Sequence, residues 1–328
     1  MKKLILSILI FCNVIAAFGQ IIKGTIFDKE TGKIIDYAAI YLSGTFVGTN
    51  TDKGGNFQLD ISKNASMPLS VSAVGYSSVT LNNFSTTEPL TIYLTTKIYN
   101  LNEVIISAKS HAGERRANLI LFKNIFLGTT FIAKRCKILN ENDITFNYDS
   151  DKDTLRAYTT KPLQIENRLL GYKITYFLDQ FEYDRENATF FYEGNIIFNE
   201  EMTSVESQKK SFERVRKDVY IGSRMHFFRE LCADNLKAAG FLVQDQSKEK
   251  LSYKKLVVEE SDHKYLSYKG NLTISYYSKV NKSQIVFLKD RVFFDNTGYF
   301  DASGLSWEGQ MGTQRVGEVL PYEYALKY

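Results

Sequence analysis

Histidine, cysteine and proline are scarce in this chain, with 3, 3 and 4 copies among 328 residues. A catalytic triad or metal centre built on histidine would have to use His111, His226 or His263. None of the three lies in a local catalytic motif. The sequence also has no Gly-rich phosphate loop, no G-x-S-x-G nucleophile elbow and no paired-cysteine metal motif. We therefore expect no catalytic residue, no bound metal and no cofactor.

The few cysteines do not indicate a disulfide framework. Cys12 lies in the N-terminal apolar segment, which leaves Cys136 and Cys232 as one potential pair. A disulfide can form in an oxidising periplasm, but a chain of this length can build its cores without one. Two buried free thiols are therefore the favoured interpretation. Catalysis by Cys136 stays a low-ranked alternative, because triads assemble in space rather than in sequence.

A strong net charge and a long apolar run in the body of the chain are also lacking. The formal charge is +4, and two of the lysines lie in the N-terminal leader-like segment, so no nucleic-acid partner is indicated. After that segment, nothing approaches the roughly 20 apolar residues that a transmembrane helix needs. We expect the mature protein to be soluble or peripherally attached to a membrane.

The N-terminus has the order of a secretory signal. Two lysines precede an apolar core, which ends in small residues at Ala17 and Gly19. Residues 1–19 are therefore predicted to be a signal peptide cleaved after Gly19. Lipidation of Cys12 is the alternative, disfavoured because the bulky Phe11 precedes it. We expect an exported protein, located in the periplasm or associated with an outer membrane.

Aromatic residues are abundant, with 21 Tyr and 23 Phe. They suit half-buried pleated surfaces, and with so few prolines they predict a mainly β protein of two domains. The first prediction is a transthyretin-like or immunoglobulin-like β-sandwich over residues 20–95. A connector over residues 96–112 is expected to lead to a strand-rich α+β domain with two helical regions over residues 113–328.

Residues 20–95 alternate between apolar and polar with a period of two. Ile40 and Leu42, for example, share an inward face, while Tyr41 points outward. Short strands separated by turns at this spacing favour a sandwich over a parallel sheet. Asp52 and the glycines near it are explained by turn geometry, which we favour over ligand binding.

The same segment resembles the carboxypeptidase regulatory-like domain. Tyr37 is one departure, because the family often has Gly there. The resemblance implies a sandwich with no chemistry of its own and no peptidase activity, since in zinc carboxypeptidases the similar domain trails the catalytic domain. The matching residues, in order, are Gly24-x-Ile26-x-Asp28, Thr31-Gly32, Ala38-x-Ile40-x-Leu42-x-Gly44-Thr45, Gly48-Thr49-x-Thr51-Asp52-x-x-Gly55-x-Phe57-x-Leu59 and Val74-Gly75-Tyr76.

Residues 101–108 form a short apolar run that resembles the segment joining this domain to the plug of TonB-dependent outer-membrane transporters. The resemblance implies an envelope protein of a Gram-negative cell, with a transporter of this kind as a candidate partner. The residues that follow are too few for a transporter barrel of about 22 strands. A small outer-membrane barrel is an alternative, disfavoured because helical regions interrupt the series of strands.

Helical periodicity predicts a helix over residues 113–128 and another over residues 205–239, the second broken near Gly222. Arg115 and Arg116, at the start of the first helix, are interpreted as part of a solvated face rather than as a contact to lipid or phosphate. Alternation predicts strands at residues 144–148, 154–158, 163–167, 172–183 and 188–198, and again through 251–260, 272–279 and 284–294.

Two local patterns suggest a metal site. His226 and Glu230 lie four residues apart on a predicted helix, but a second histidine at metalloprotease spacing is missing, so a packed histidine beside an acid is favoured. Asp149, Asp151 and Asp153 alternate as calcium ligands do in a loop. The glycine and the distal glutamate of an EF-hand are absent, which favours an acidic hairpin turn.

A weaker resemblance covers the second domain, to an uncharacterised domain that follows this sandwich in other envelope proteins. It implies no known activity. The motifs that carry it are Phe126-Leu127-Gly128, the run PLQIEN at residues 162–167, Gly171-Tyr172 and Leu320-Pro321-Tyr322-Glu323-Tyr324.

These observations lead to one main hypothesis and one from another class. The main hypothesis is a non-catalytic envelope interaction protein, in which the sandwich docks on an outer-membrane or periplasmic partner and the second domain presents a binding face. The alternative is a hydrolase or carbohydrate-acting enzyme with its site in residues 113–328.

Overall fold

A computed structural model describes residues 20–97, 111–199, 202–203, 205–277 and 282–326. Its architecture is mainly β, which confirms the predicted fold class. The predicted signal peptide, the apolar run at 101–108 and most of the predicted connector lie outside these residues. Within the described ranges, no helix is both long and apolar enough to cross a membrane.

The N-terminal unit, residues 20–97, is the predicted sandwich. One sheet has the strand order β4-β1-β7 and the other has the order β3-β2-β5-β6. Alternation along the chain did not reveal the three-residue strands β3 and β6, which are too short to show a period. The strands are β1 (Ile21–Asp28), β2 (Ala39–Leu42), β3 (Gly48–Asn50), β4 (Asn56–Asp60), β5 (Leu69–Ser72), β6 (Val79–Leu81) and β7 (Leu90–Leu94).

Three residues of the family pattern meet at one end of the sandwich. The backbone N–H of Thr31 donates to Asp28 Oδ1 at 2.7 Å, and the Tyr76 hydroxyl donates to Asp28 Oδ2 at 2.8 Å. These two hydrogen bonds hold the pKa of Asp28 below its usual value, because both favour the charged carboxylate. The pattern therefore records a turn and its closing contact rather than a catalytic group.

Tyr37 explains the family preference for glycine at its position. Its φ angle is +53°, in the left-handed region that L side chains avoid, and its side chain is 69% exposed. Because the ring is mostly exposed, its packing contacts offset little of the backbone strain. The sandwich therefore carries a local cost here that a glycine would not have.

Replacing Tyr37 by glycine should stabilise the protein. Relief of the left-handed strain, about 1–2 kcal/mol, exceeds the added entropy of glycine in the unfolded chain, about 0.5–1 kcal/mol. We expect Tyr37→Gly to raise the free energy of unfolding by about 1 kcal/mol in urea titrations. Tyr37→Ala is the control, because it removes the ring but keeps the Cβ and should give no gain. Equal stabilisation by both variants would contradict the strain argument.

The second unit is a six-stranded sheet with a helix packed on it. The strand order is β8-β11-β12-β10-β9, and β13 pairs with β12. Helix α1 buries Phe122 and Phe126 against this sheet, with ring centroids 4.7 Å from Phe181 and 4.8 Å from Tyr176. The five predicted strands between residues 144 and 198 are all present. The elements are α1 (His111–Phe126), β8 (Cys136–Ile138), β9 (Ile144–Asp149), β10 (Thr154–Thr159), β11 (Leu163–Asn167), β12 (Tyr172–Asp184) and β13 (Thr189–Asn199).

The predicted helix over 205–239 is two helices and ends earlier than expected. The break at Gly222 is confirmed, since its φ of +75° leaves the helical region and Ser223 caps the next helix by accepting from the His226 N–H. The prediction that the helix continues to residue 239 is wrong. It ends at Cys232, and Asp234, with a φ of +51°, turns the chain toward a strand. The helices are α2 (Glu206–Tyr220) and α3 (Arg224–Cys232).

The third unit packs α3 against two small sheets, of order β14-β17-β18-β20 and β15-β16-β19. Phe227, Phe228 and Leu231 of α3 are fully buried in its core. The predicted strand at 251–260 is correct only for residues 257–260, because residues 253–256 form a helical turn. The remaining elements are β14 (Phe241–Gln244), α4 (Tyr253–Leu256), β15 (Val257–Glu260), β16 (His263–Leu266), β17 (Leu272–Tyr276), β18 (Lys282–Phe287), β19 (Val292–Phe294), β20 (Leu305–Glu308) and α5 (Gly309–Gly312).

Residues 314–326, the C-terminal segment, connect all three units. The Gly317 carbonyl accepts from Asn167 Nδ2 in the second unit at 2.8 Å. Arg229 of α3 donates to the Tyr322 carbonyl at 2.9 Å. The N–H of Tyr322 donates to the Gly44 carbonyl of the sandwich at 2.8 Å. Asn167 and Leu127, whose carbonyl accepts from the Gly317 N–H at 3.0 Å, bring two of the motifs of the second resemblance into contact with this segment. A third motif, Leu320–Tyr324, lies within it.

The outward face of strand β2 packs against the second unit. Tyr41 is fully buried, and its ring stacks on Phe177 of β12 with centroids 5.2 Å apart. Beside it, the N–H of Phe198 in β13 donates to the Thr45 carbonyl at 3.0 Å. The outward alternation predicted for Tyr41 is therefore correct, but it faces the chain's own second unit.

A chain of polar groups closes the rim of this contact. The hydroxyls of Tyr41 and Ser72 are 2.7 Å apart, Ser72 donates to Ser78 at 2.8 Å, and Ser78 donates to Asp179 at 2.9 Å. Lys97 donates to the Leu178 carbonyl at 3.0 Å and lies 3.9 Å from Asp179. Burial lowers the pKa of Lys97. Because each of these side chains bonds across or along the contact, the two units are held in one orientation.

Removing the Phe177 ring should weaken the whole protein rather than one unit. The ring is half-buried, so Phe177→Ala should lower the free energy of unfolding by about 1–3 kcal/mol. Phe191→Ala on the adjacent strand β13 is the control, because Phe191 is 52% exposed and its loss should matter little. Urea unfolding followed by Tyr fluorescence and by circular dichroism tests this. An unchanged midpoint for Phe177→Ala would show that the contact does not couple the units.

Candidate binding site at the open edge of the sandwich

A groove of about 520 Å³ lies at an edge of the sandwich, where β3 of one sheet approaches β4 of the other, and all of its lining residues belong to the sandwich. One lysine and one aspartate bring opposite charges to its lining, and most other lining residues carry amides or hydroxyls. The lining residues are Lys23, Gly24, Thr25, Thr49, Asn50, Asp52, Asn56, Phe57, Gln58 and Pro89.

Strand β4 presents unpaired backbone groups to this groove. The Ile61 N–H donates to the Gln20 carbonyl at 2.9 Å, which fixes the alternation of hydrogen-bonded pairs between β1 and β4. In that register Lys23 and Gln58 face each other as a pair without backbone hydrogen bonds. The N–H and C=O of Gln58 therefore point away from β1, and no group of the described residues pairs with them.

Strand β3, in the opposite sheet, also directs backbone groups toward the groove. The Thr51 N–H donates to the Ala38 carbonyl at 2.9 Å, and the Leu42 N–H donates to the Val47 carbonyl at 3.0 Å. The alternation places Asn50 opposite Ala39 as a pair without backbone hydrogen bonds. The backbone of Asn50 thus also faces the groove.

Asp52 closes one end of the groove as a turn residue. Its Oδ1 accepts from the N–H of Gly54 at 2.8 Å and from the N–H of Asn56 at 2.9 Å. The neighbouring Thr25 hydroxyl donates to Asn56 Oδ1 at 2.8 Å. The predicted structural role of Asp52 is confirmed, and the turn fixes the distance between β3 and β4.

An apolar patch lies on the outer face of the β4-β1-β7 sheet. The rings of Phe27 and Tyr93 have centroids 5.8 Å apart, and Ile34 pairs with Phe27 across a β-bridge. Tyr93 is 53% exposed and Ile34 is 47% exposed. These exposed side chains contrast with the outer face of β2, where Tyr41 is fully buried against the second unit.

His226 is the packed histidine that the sequence favoured. It is buried, its Nδ1 accepts from the Gly222 N–H at 3.1 Å, and its Nε2 lies 3.6 Å from Glu230. Rings of Phe241 and Tyr276 lie 5.0 and 5.7 Å away. Burial lowers the pKa of His226, since the charged imidazolium loses its hydration there.

The three alternating aspartates form the predicted hairpin turn between β9 and β10. Asp149 accepts from the backbone N–H of Asp151 at 3.2 Å and from Arg156 at 3.2 Å, and the Tyr148 hydroxyl donates to Asp153 at 2.5 Å. These carboxylates bond to their own turn rather than converging. Across the described residues, no group of three or more His, Cys, Asp or Glu is placed to hold a metal ion.

The prediction that Arg115 lies on a solvated helix face is wrong. Its guanidinium donates to the carbonyls of Ile144 at 2.8 Å and Glu141 at 3.1 Å, and it lies 5.8 Å from the Phe146 ring. Helix periodicity assigned it to a solvated face, because the contact partners lie beyond the helix. The side chain instead covers the start of edge strand β9.

Cys136 and Cys232 are both free and half-buried. Burial raises the pKa of Cys136 to about 12, and it also raises that of Cys232. A thiol with such a pKa is almost wholly protonated at neutral pH and is a poor nucleophile. The predicted free thiols are confirmed, although neither is fully buried.

The open edge of the sandwich could not be found from the sequence. Alternation indicates which side chains face the core, but not which strand lacks a neighbour. The groove joins residues from β1, β3 and β4, and β3 was not predicted at all. A weak signal was present in β4, whose sequence NFQLD contains neither the lysine nor the proline that often protects an edge strand.

Alkylation should test the state of Cys136. In the folded protein its reaction with iodoacetamide should be slow at pH 8 and should rise about tenfold per pH unit until near its pKa of about 12. In 6 M guanidinium chloride both thiols should react at the rate of ordinary cysteine. Mass spectrometry of Cys136→Ser and Cys232→Ser variants assigns the rates. Rapid modification of folded Cys136 at pH 8 would contradict the burial argument.

Comparison with known proteins bears on the first unit. Residues 22–106 match the family model of the CarboxypepD_reg-like domain. No curated protein matches the chain. The match covers the sandwich and agrees with the residues that suggested the resemblance. The N-terminal unit is therefore a carboxypeptidase regulatory-like domain, a domain of the binding or regulatory type.

Proposed function

We propose that this chain is an exported, non-catalytic binding protein of a Gram-negative cell envelope, in which the sandwich binds an envelope protein. A TonB-dependent transporter is the partner that the sequence resemblance favours. The second and third units act as the rigid support of the sandwich. Export rests on the signal-like order of residues 1–19.

The observation that carries the proposal is the unequal use of the two sides of the sandwich. One side is fixed to the chain itself through Tyr41 and the polar groups that end at Asp179. The edge formed by β3 and β4 presents the groove, toward which the backbone groups of Asn50 and Gln58 are directed. A binding domain that is held by one face presents its open edge at a fixed orientation.

The surroundings of His226 and Cys136, two residues weighed above for metal binding or catalysis, support a binding role rather than an enzyme. His226 is enclosed by aromatic rings and bonded to the helix break at Gly222. Cys136 has a strongly raised pKa and packs beside the C-terminal segment, where its thiol lies 4.0 Å from the Gly317 carbonyl. A cavity of about 30 Å³ beside Ser78 and Lys97 has room for a water or two.

A crosslinking pull-down from native cells tests the proposal. Deleting the sandwich would expose Phe177 and Phe198, so a point substitution is the better probe. Gln58→Arg places a long charged side chain in the groove, and Gln180→Arg makes the same change at an exposed site on β12. We expect an envelope protein to be captured by the wild type and by Gln180→Arg, and its yield to fall at least tenfold with Gln58→Arg. Absence of any specific envelope protein with the wild type would refute the proposal.

A further inference from the structure

We infer that the groove between β3 and β4 receives an extended peptide segment of the partner, which adds to the sandwich as a β-strand. This inference rests on the proposed function, because it names how the partner would bind. It follows from the backbone of the groove rather than from its side chains. In strand addition, backbone hydrogen bonds supply affinity and the alternate side chains supply specificity.

The two walls of the groove offer the hydrogen bonds that an added strand needs. On β4, Gln58 directs its N–H and C=O away from β1. On β3, Asn50 directs its N–H and C=O away from β2. A strand that pairs with either wall would satisfy groups that otherwise bond to water. Because β3 has three residues and β4 has five, the added segment is short.

Two other edge strands, β13 and β9, are partly covered by the chain itself, in contrast to β4. Strand β13 is continued by a bridge between Ile197 and Thr45 of the sandwich. The start of β9 is covered by Arg115, which donates to the Ile144 carbonyl. No residue of the part of the chain that the structure describes covers the edge of β4 at Gln58 in this way. Exposed edges are usually protected because they invite pairing with other chains, so an unprotected one fits a pairing role.

The lining indicates the side chains that such a peptide carries. Lys23 and Asp52 contribute opposite charges, and Thr25, Asn56 and Gln58 contribute a hydroxyl and two amides. Because the charges of Lys23 and Asp52 balance, the lining favours a peptide of polar, uncharged residues over an acidic or basic one. Binding should therefore depend little on salt, since no net charge attraction is screened.

The test uses a phage-displayed library of random ten-residue peptides, panned against the chain from Gln20 onward. Selected peptides are synthesised, and their affinities are measured by fluorescence anisotropy. Gln58→Pro removes the N–H that faces the groove but no internal hydrogen bond, whereas Gln58→Ala keeps the N–H and removes the side chain. We expect Gln58→Pro to bind the selected peptides about tenfold more weakly than Gln58→Ala, because both variants lack the side-chain amide and only Gln58→Pro also lacks the N–H.

Methylated peptides provide a second arm with the unmodified protein. N-methylation at alternate backbone positions should weaken binding about tenfold, and methylation at the positions between should not. This experiment tests strand addition even if circular dichroism shows that Gln58→Pro is misfolded. Peptides that bind equally well to Gln58→Pro and after methylation at every position would overturn strand addition.

The two proposals can fail separately. If native cells yield an envelope protein lost with Gln58→Arg, but no selected peptide shows the alternate methylation pattern, strand addition is wrong and the binding function stands. If peptides show the pattern but native cells yield no partner, the groove binds strands and the proposed envelope function is wrong.

Discussion

The contact between the sandwich and the second unit is the constraint on which the rest of the structure depends. A small sandwich has two outer faces, and one of them here is buried beneath Phe177 and the strands β12 and β13. This contact explains why Tyr41 is fully buried although it faces away from the sandwich core. The same contact continues β13 through the bridge between Ile197 and Thr45, whereas among the described residues no strand pairs with the outer edges of β3 and β4.

The C-terminal segment makes that arrangement a single unit. It passes from the third unit to the second and then to the sandwich, and it binds each through backbone groups. Gly44 shows the tightness of the last contact: its φ is +82°, and a Cβ at this position would lie 2.5 Å from the Tyr322 ring. Gly44 is therefore needed for two reasons: it allows the turn after β2, and it leaves room for the Tyr322 ring of the C-terminal segment.

The limits of sequence interpretation follow from the range of the interactions. The hairpin at Asp149 and the turn at Asp52 were predicted because their hydrogen bonds are local. The position of Arg115 was not, because its partners lie about 26 to 29 residues away along the chain. The end of helix α3 was missed because Asp234 adopts a left-handed conformation that periodicity does not encode.

The sequence by itself determined the sandwich, its strands of four or more residues, its turns and its family, since alternation and turn chemistry act over a few residues. Only the tertiary structure decided which face of the sandwich is covered and which edge is open. That choice depends on contacts such as Tyr41 with Phe177 and Gly44 with Tyr322, between residues far apart in the chain, and no local pattern specifies them.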